Sequence, residues 1–591
     1  MKVVELAARL MSDVSPDEMM RHLEVFAGLD RLSGGEGERR AVEYLAGALE
    51  RYGVRTELLE FESYISYPLE AELLVLEPES RQIPCRTRSF SASTPAEGLE
   101  GELVFVASAP RDERTGHLLG RGDVASAYRE VNVRGKVVLT TGGGPDALKN
   151  AQDAGALAQV HMWPSDEDVV HEMIVTPIWG TPTPESASML PRIPALSVKR
   201  RDGEYLRGLI QRGPVRVRVR ARTWTGWKRL PLLVAHIDGV EEPERFLLVG
   251  AHIDSWYEGV TDNATGDVCL LEMARVLARH RTGLRRSVRF AWWPGHSVGR
   301  YSGSTWYADH YWEDLRYNCL GYLNIDSPGI RGAAVWDCRY NMGEVEQLVA
   351  RAVREVTGQE ANVRRPFKAG DQSFWGIGLP SLGAFRMLPA DHPDRATVGG
   401  SGGGWWWHTP EDTLDKADVG VLANDTRLYL RLAAELVVPR VLPFEFVTVA
   451  DDFARVLSDL QERAGAHLDL SVALDRARRF RELAARLEAA RQELAGSEGD
   501  GRVDRLNRGL MGLSRILNPV LYTVSGDFDQ DPALQLPMLP GLRRARELPE
   551  LDPAGDEYRF LMTRLVRERN RVNDCLRRAI TEVEGLLAEL A

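Results

Sequence analysis

The chain has 591 residues, of which 44% are hydrophobic and 27% charged, and its formal net charge is −12. This composition is typical of a globular protein and excludes wholesale disorder and fibrous classes. Single cores stop growing near ~250–300 residues, so we expect several domains. The negative charge argues against a general nucleic-acid-binding role.

The cysteines and the hydropathy pattern bear on the compartment. Five cysteines are scattered and never form a C-x-x-C pair, which predicts neither a disulfide framework nor a cysteine metal site. The N-terminal segment lacks an apolar stretch followed by a small-residue cleavage site. No run approaches the ~18 uninterrupted apolar residues of a membrane span. We therefore expect a cytoplasmic protein with no membrane partner.

The first elements in chain order are helical. Residues 16–53 carry apolar residues at three- and four-residue spacing and predict two helices separated by a short loop. Two strands should follow, because residues 54–65 and 69–78 alternate between apolar and polar side chains.

Residues 79–225 change character and predict a separate, mostly β domain. Short apolar strands stand among connections rich in glycine and proline. The alternating VRVRVRAR stretch at 215–222 favours a strand with one buried and one solvated face over a nucleic-acid-binding surface.

Residues 226–440 return to strands that alternate with helices. Apolar strands are predicted at 244–254, 285–295 and 318–329, and a helix at 263–280. This order predicts an α/β fold in which helices cover both faces of a sheet, with ligands bound at the carboxyl ends of the strands.

Residues 441–591 predict a helical domain. Long patterns with apolar residues three or four positions apart run over 450–496 and 556–590.

Histidines and carboxylates stand where the predicted strands end. His252 and Asp254 follow one strand, Asp262 precedes a helix, Asp326 follows another strand, and His408 follows three tryptophans. Imidazole and carboxylate groups are suitable zinc ligands, and a bridging carboxylate can hold two ions ~3.5–4 Å apart. Asp254 cannot easily share a strand face with His252, so we expect it to orient that imidazole from behind.

These residues lie in motifs that resemble a known family. GAHIDSW, TDNATG, NIDS and WHTPEDTLDK resemble the co-catalytic zinc aminopeptidase family that includes glutamate carboxypeptidase and the transferrin receptor. The resemblance implies an α/β catalytic domain, with a mixed sheet sandwiched by helices, at 1–78 and 226–440. It also implies an inserted protease-associated (apical) domain at 79–225 and, at 441–591, a helical domain through which the chain forms a homodimer.

The resemblance also implies roles for the site residues. His252, Asp262 and Asp326 would bind one Zn²⁺. Asp262 would bridge to a second ion held by His408, and Asp254 would lie behind His252.

Substrate contacts are implied for three places. Trp407 stands where relatives often have a tyrosine, and Arg386 lies near positions used for substrate carboxylates. The segment 371–373 lies in a loop where relatives contact substrate.

One motif departs from the family. Relatives have a Glu-Glu pair after the strand that ends in FAWW, the first as general base and the second as a metal ligand, whereas this chain has His296-Ser297. His296 falls on the base, and neutral imidazole suits that role. A one-residue slip would instead place His296 on the ligand position. The weakened second site could leave one ion, or favour another metal such as Fe or Mn.

The sequence therefore predicts a metal-dependent hydrolase of peptide or related amide bonds, acting on a small peptide or amide. One alternative is a hydrolase or lyase with one metal ion that acts on a non-peptide amide or C–N bond. The other is a binding scaffold that has lost catalysis.

Overall fold

The computed structural model describes residues 3–107, 127–128, 130–141, 143–396, 400–496 and 501–590. Within them, twelve strands form one mixed sheet and three form a small second sheet. The strands in chain order are β1 (Arg55–Glu77), β2 (Arg81–Ile83), β3 (Cys85–Thr87), β4 (Leu99–Val106), β5 (Val137–Thr141), β6 (Ala158–Met162), β7 (Ala195–Val198), β8 (Arg216–Ile237), β9 (Glu242–His252), β10 (Arg286–Trp293), β11 (Cys319–Asn324), β12 (Val335–Cys338), β13 (Asn362–Val363), β14 (Ser381–Gly383) and β15 (Arg386–Met387).

The described α-helices are numbered in the same way. They are α1 (Val3–Ser12), α2 (Pro16–Phe26), α3 (Glu36–Arg51), α4 (Pro145–Asp153), α5 (Arg200–Arg212), α6 (Thr265–Arg279), α7 (Ser302–His310), α8 (Trp312–Asn318), α9 (Glu346–Thr357), α10 (Val419–Val437), α11 (Val447–Ala464), α12 (Ser471–Gly496), α13 (Arg502–Tyr522) and α14 (Asp556–Leu590).

The central part of the sheet is parallel and buried. Strand β9 pairs in parallel with β10 on one side and β11 on the other, and β14 adds to β11. All residues of β11 are buried, and helix α6 is buried from Thr265 to Leu277. Sheets with both faces covered have such near-continuous apolar strands. The predicted α/β fold, with a mixed sheet flanked by helices, is confirmed.

Strand β1 is longer than the sequence predicted. It is one strand of 23 residues that pairs antiparallel with β8 over its whole length, where two strands were expected. Pro68, which cannot donate a backbone hydrogen bond, lies at a register shift between Pro68 and Glu70. The strand therefore absorbs the proline in a bulge, and the β1/β8 ribbon runs from the central sheet into the segment 79–225.

The segment 79–225 is more α/β than the sequence predicted. Strands β4, β5, β6 and β7 pair in parallel in that order, and two of the described helices, α4 and α5, accompany them. Parallel neighbours need crossover connections, which explains the helices. In β8 the residues Val217, Val219 and Ala221 are buried beside more exposed arginines, which confirms the predicted two-faced strand. Residues 108–126 of this segment lie outside the described residues.

The C-terminal region is helical, as predicted. Helices α11 to α14 bury apolar faces that join the same core as the helices on one side of the central sheet. Nowhere in the described part of the chain is a helix long and apolar enough to cross a membrane.

Candidate metal centre and active site

The candidate site lies at the carboxyl edge of the parallel strands. His252 is the last residue of β9, Asp326 lies two residues past β11, and Asp262 precedes α6. Because β9, β10 and β11 are parallel, their carboxyl ends reach the same edge of the sheet. His408 comes from the loop between β15 and α10.

Three of the predicted ligands form one cluster. One donor atom each from His252, Asp262 and Asp326 lies within 4.8 Å of the others. Nε2 of His252 is 3.1 Å from Oδ1 of Asp262 and 3.9 Å from Oδ1 of Asp326. No other group of three or more histidines, cysteines or carboxylates with this spacing occurs among the residues described.

Asp262 lies between two imidazoles. Its Oδ1 faces His252, and its Oδ2 is 3.2 Å from Nε2 of His408. Burial favours the neutral carboxyl, but the hydrogen bonds with the two histidines hold the pKa of Asp262 well below its usual range. Burial favours the neutral imidazole of His252, but hydrogen bonds with Asp262 and Asp326 raise its pKa well above the usual value. The centre is thus built to hold positive charge next to carboxylates.

The donor set fits a metal ion. His252 donates from Nδ1 to the backbone carbonyl of Asp254 at 2.9 Å, and His408 donates from Nδ1 to that of Glu172 at 2.9 Å. Each bond leaves Nε2 facing Asp262, and an imidazole fixed in this way is typical of metal sites. Two imidazoles and two carboxylates are ligands that suit zinc.

Asp254 contacts His252 differently from what we expected. Its backbone carbonyl, not its carboxylate, accepts the bond from His252. The fully buried carboxylate accepts hydrogen bonds from Ser33 Oγ and from the backbone N–H groups of His296 and Ser297, at 2.7–3.0 Å. Asp254 therefore shapes the turn that carries His296.

His296 lies against the metal cluster. Its ring stacks on the ring of His252 with 3.7 Å between centroids, and its Nδ1 is 2.8 Å from Oδ2 of Asp371. Asp371 is 1% exposed, and its Oδ1 accepts a hydrogen bond from Ser304. The sequence placed Asp371 in a substrate-contacting loop, but it did not predict this pair. His296 is not a member of the three-donor cluster.

The second side of Asp262 offers few ligands. Ser297 donates its backbone N–H to Asp254 and lines the pocket. His408 is the histidine that contacts this side of Asp262. Among the described residues, these positions supply no third histidine or carboxylate to complete a second group.

The segment 79–225 contributes directly to the site. Two hydrogen bonds join Glu172 and His408. The backbone N–H of Glu172 donates to the carbonyl of His408 at 3.0 Å, and the backbone carbonyl of Glu172 accepts from Nδ1 of the His408 ring. His408 has a φ of 60°, a left-handed conformation that is uncommon outside glycine. The contacts with Glu172 help to hold this conformation. No sequence signal pointed to Glu172.

A small pocket opens over the cluster. Its volume is about 110 Å³, below the ~300–1,000 Å³ of pockets that hold drug-sized ligands. Trp407 lines it and stacks on His408 at 3.7 Å between centroids. The lining residues are Met173, Ile174, Asp262, His296, Ser297, Arg300, Tyr301, Asp326, Ser327, Arg339, Tyr340, Ala369, Gly370, Phe385, Gly400, Gly402, Trp407 and His408.

Arg386 does not line this pocket, although we expected it to bind substrate. Its Nη1 is 3.4 Å from Asp425, and its guanidinium lies over the ring of Trp336. Arg300 and Arg339 line the pocket instead. The sequence singled out neither arginine, because their place depends on the loops after β10 and β12.

The fold and the cluster together define an α/β protein with a candidate metal site at the carboxyl edge of its parallel strands. Residues 233–433 match the model of Peptidase family M28. The resemblance found in the sequence motifs is thereby confirmed at the level of the family.

Known relatives are distant. A probable glutamate carboxypeptidase of Zea mays is 25% identical over 397 residues, which cover 56% of this chain and 53% of the relative. Carboxypeptidase Q of Bos taurus is 25% identical over 359 residues, which cover 58% of this chain and 71% of the relative. The chain thus spans about half the length of the maize protein.

The fold also matches solved structures. The aminopeptidase from Aneurinibacillus sp. strain AM-1 superposes with a TM-score of 0.54 at 20% identity, over 72% of this chain and 95% of that one. This likeness concerns the fold. Together, the family and the donor cluster support a metal cofactor, which in this family is generally zinc.

Proposed function

We propose that the protein is a metal-dependent hydrolase of peptide or related amide bonds in small substrates. The observation that carries the proposal is the cluster of His252, Asp262 and Asp326 beside a histidine that is hydrogen-bonded to a carboxylate. The match of residues 233–433 to Peptidase family M28 and relatives named as carboxypeptidases and aminopeptidases support it.

His252, Asp262 and Asp326 would hold one ion, generally zinc in this family. A divalent ion in such a site supplies a Lewis acid, which polarises a carbonyl and lowers the pKa of water. His408 holds the other oxygen of Asp262 and would be the ligand available to a second ion. Because Ser297 offers only a hydroxyl where the family resemblance implies a glutamate, we favour one tightly held ion.

His296 would move the proton. Its Nδ1–H donates to Asp371, so the lone pair of the neutral ring lies on Nε2. Nε2 would take the proton from the attacking water and pass it to the nitrogen of the leaving amine when the amide bond breaks. Asp371 would keep the ring in this tautomer and stabilise the imidazolium that forms.

The pocket limits the substrate. A volume of about 110 Å³ accommodates only a small group, and Trp407 and Tyr340 supply apolar walls. We therefore expect short peptides or acylated amino acids rather than folded proteins.

A second candidate function keeps the same centre and changes the substrate. The described residues provide one group of three ligands rather than two, which favours a hydrolase or lyase with one metal ion that acts on a non-peptide amide or C–N bond. A scaffold that has lost catalysis is disfavoured, because burying carboxylates without a cation costs several kcal/mol.

The test is a turnover assay on the full chain with metal analysis. Purified protein is assayed with aminoacyl anilides, dipeptides and N-acyl amino acids, before and after chelation and after zinc is restored. We expect amide hydrolysis that chelation abolishes and zinc restores. Asp326→Ala should abolish it, whereas Asp415→Ala, which removes a 66% exposed carboxylate, should not. Turnover of fully chelated protein would refute the proposal, and turnover confined to non-peptide amides would favour the second candidate.

A further inference from the structure

Arg300 is a buried cation for which the described residues provide no ion-pair partner. It lies four residues after His296 and lines the same pocket. The residue is 5% exposed, and its Nε and Nη2 atoms find no hydrogen-bond partner among the described residues. In the part of the chain that the structure describes, no carboxylate lies within 4.0 Å of its guanidinium.

The backbone and ring contacts of Arg300 fix its position without neutralising it. Its carbonyl accepts a hydrogen bond from the N–H of Gly180 at 2.7 Å, and its guanidinium lies 5.0 Å from the ring centroid of Tyr301. Asp146 interacts with Arg300 electrostatically, but no hydrogen bond or ion pair joins the two. These contacts therefore fix the position of Arg300, but no ion pair neutralises its positive charge.

The other arginine of the pocket wall differs. Arg339 donates from Nε to Asp337 at 2.8 Å. A buried cation without a counter-charge costs several kcal/mol unless an anion is supplied. In this pocket, a bound anionic ligand is the group that can supply the counter-charge.

We propose that Arg300 binds a carboxylate of the substrate, so that the protein acts on small amides that carry a carboxylate group. The substrate class rests on the proposed function, whereas the carboxylate site does not. A planar guanidinium matches a carboxylate through two parallel hydrogen bonds. Asp262 and Asp326 line the same pocket, so the metal site to which the proposed function assigns the amide lies in the same cavity as Arg300. The substrate is therefore oriented with its amide at the metal cluster and its carboxylate at Arg300.

Two matched probes test the charge. N-acetylglycine and N-acetylglycinamide differ only in that a carboxylate replaces a neutral amide, and calorimetric titration of the full-length metal-loaded protein measures both affinities. We expect wild-type protein to bind N-acetylglycine at least tenfold more tightly. Equal affinity for the two probes would overturn the proposal, and this comparison needs no variant.

Variants then assign the effect to Arg300. Arg300→Gln should weaken N-acetylglycine at least tenfold and change N-acetylglycinamide less than twofold, and Arg300→Lys should lie between. Arg55→Gln removes the same charge from a 61% exposed side chain and should change neither. Without ligand, Arg300→Gln should melt at the same temperature as the wild type or higher, because it removes an unpaired buried charge.

Two further results would overturn the proposal. A carboxylate held by the metal alone would bind Arg300→Gln as tightly as wild type. Inorganic phosphate that binds in an Arg300-dependent manner while N-acetylglycine does not would assign the site to another anion. Arg300-dependent binding without any hydrolysis would refute the hydrolase and leave the carboxylate site unaffected. Hydrolysis of neutral amides alone would refute the carboxylate site and leave the hydrolase unaffected.

Discussion

Nδ1 of His296 lies 2.8 Å from Oδ2 of Asp371, and this bond decides which ring nitrogen is free for chemistry. The carboxylate can only accept, so Nδ1 carries the hydrogen and the lone pair lies on Nε2. The ring also stacks on His252, which places it beside the metal cluster. A base in this position would be held by two contacts rather than by the backbone alone.

The first prediction concerns this pair. His296→Ala should lower kcat by about 10²–10⁴-fold, the usual contribution of a positioned acid or base. Asp371→Asn should also lower kcat, because the amide can stabilise the wrong ring tautomer. Steady-state kinetics on the best substrate found in the turnover assay measures both effects.

Metal analysis of the same variants separates a base from a ligand. Both variants should retain the metal content of wild type, since His296 is outside the three-donor cluster. Loss of the ion from His296→Ala would make His296 a ligand and would contradict its role as base. Ser304→Ala, which removes one hydrogen bond to Asp371, serves as the milder control and should change kcat by less than tenfold.

The second prediction concerns the number of ions. Elemental analysis of purified protein should find about one transition-metal ion per chain, because one group of three ligands occurs among the described residues. Asp326→Ala should remove the ion, whereas His408→Ala should retain it with weaker affinity. Two ions per chain in wild-type protein, with one lost in His408→Ala, would contradict the prediction.

The ligand positions could be predicted because they depend on strand order alone. His252 and Asp326 end apolar strands that a parallel sheet brings to one edge, and Asp262 begins the helix that follows. The positions of these three ligands can therefore be predicted from the order of strands and helices, without knowing the conformation of any loop. The α/β class was predictable for the same reason, since strands and helices alternate along 226–440.

The walls of the pocket could not be predicted, because they come from loops distant in sequence. Asp371 reaches His296 across 75 residues and Glu172 reaches His408 across 236. The excess charge of Arg300 becomes visible only when its neighbours are known. The homodimer and the domain boundaries expected from the family resemblance stay predictions.

The third prediction concerns how the helical region supports the pocket. Lys368 precedes the pocket residues 369–370 and is 4% exposed. Its Nζ is 3.2 Å from Asp531 and lies 4.4 Å from the ring centroid of Trp375. Asp531→Asn leaves this cation without its counter-charge, so we expect a loss of about 3–5 kcal/mol in the free energy of unfolding.

A double variant checks that the loss is electrostatic. Lys368→Met with Asp531→Asn removes both charges and places an apolar chain against the aromatic rings, so it should recover most of the stability. Urea unfolding of the wild type and of both variants measures the differences. If the double variant is as unstable as Asp531→Asn, the hydrogen bonds that the backbone N–H groups of residues 524–525 donate to Asp531 carry the stability instead.

The fourth prediction concerns Arg386, which the structure places outside the pocket. Burial raises the pKa of Asp425 to about 6, and the N–H of Gly329 and the charge of Arg386 oppose a larger rise. The unfolded value is about 3.9, so folding favours the protonated carboxyl. The protonated carboxyl of Asp425 therefore makes its full contribution to the free energy of unfolding below about pH 4, and this contribution declines as the pH rises to about 6.

Arg386→Gln removes the cation and raises the pKa of Asp425 further, so the decline should extend to higher pH. We therefore expect the loss of stability in Arg386→Gln to be larger at pH 8, about 1–3 kcal/mol, than at pH 5. Urea unfolding at both pH values measures it. In an Asp425→Asn background, which has no titrating group at this place, the loss should no longer depend on pH.

The affinity of Arg386→Gln for N-acetylglycine should stay at the wild-type value, because Arg386 does not line the pocket. A large loss of this affinity with unchanged stability would instead make Arg386 a substrate-binding residue.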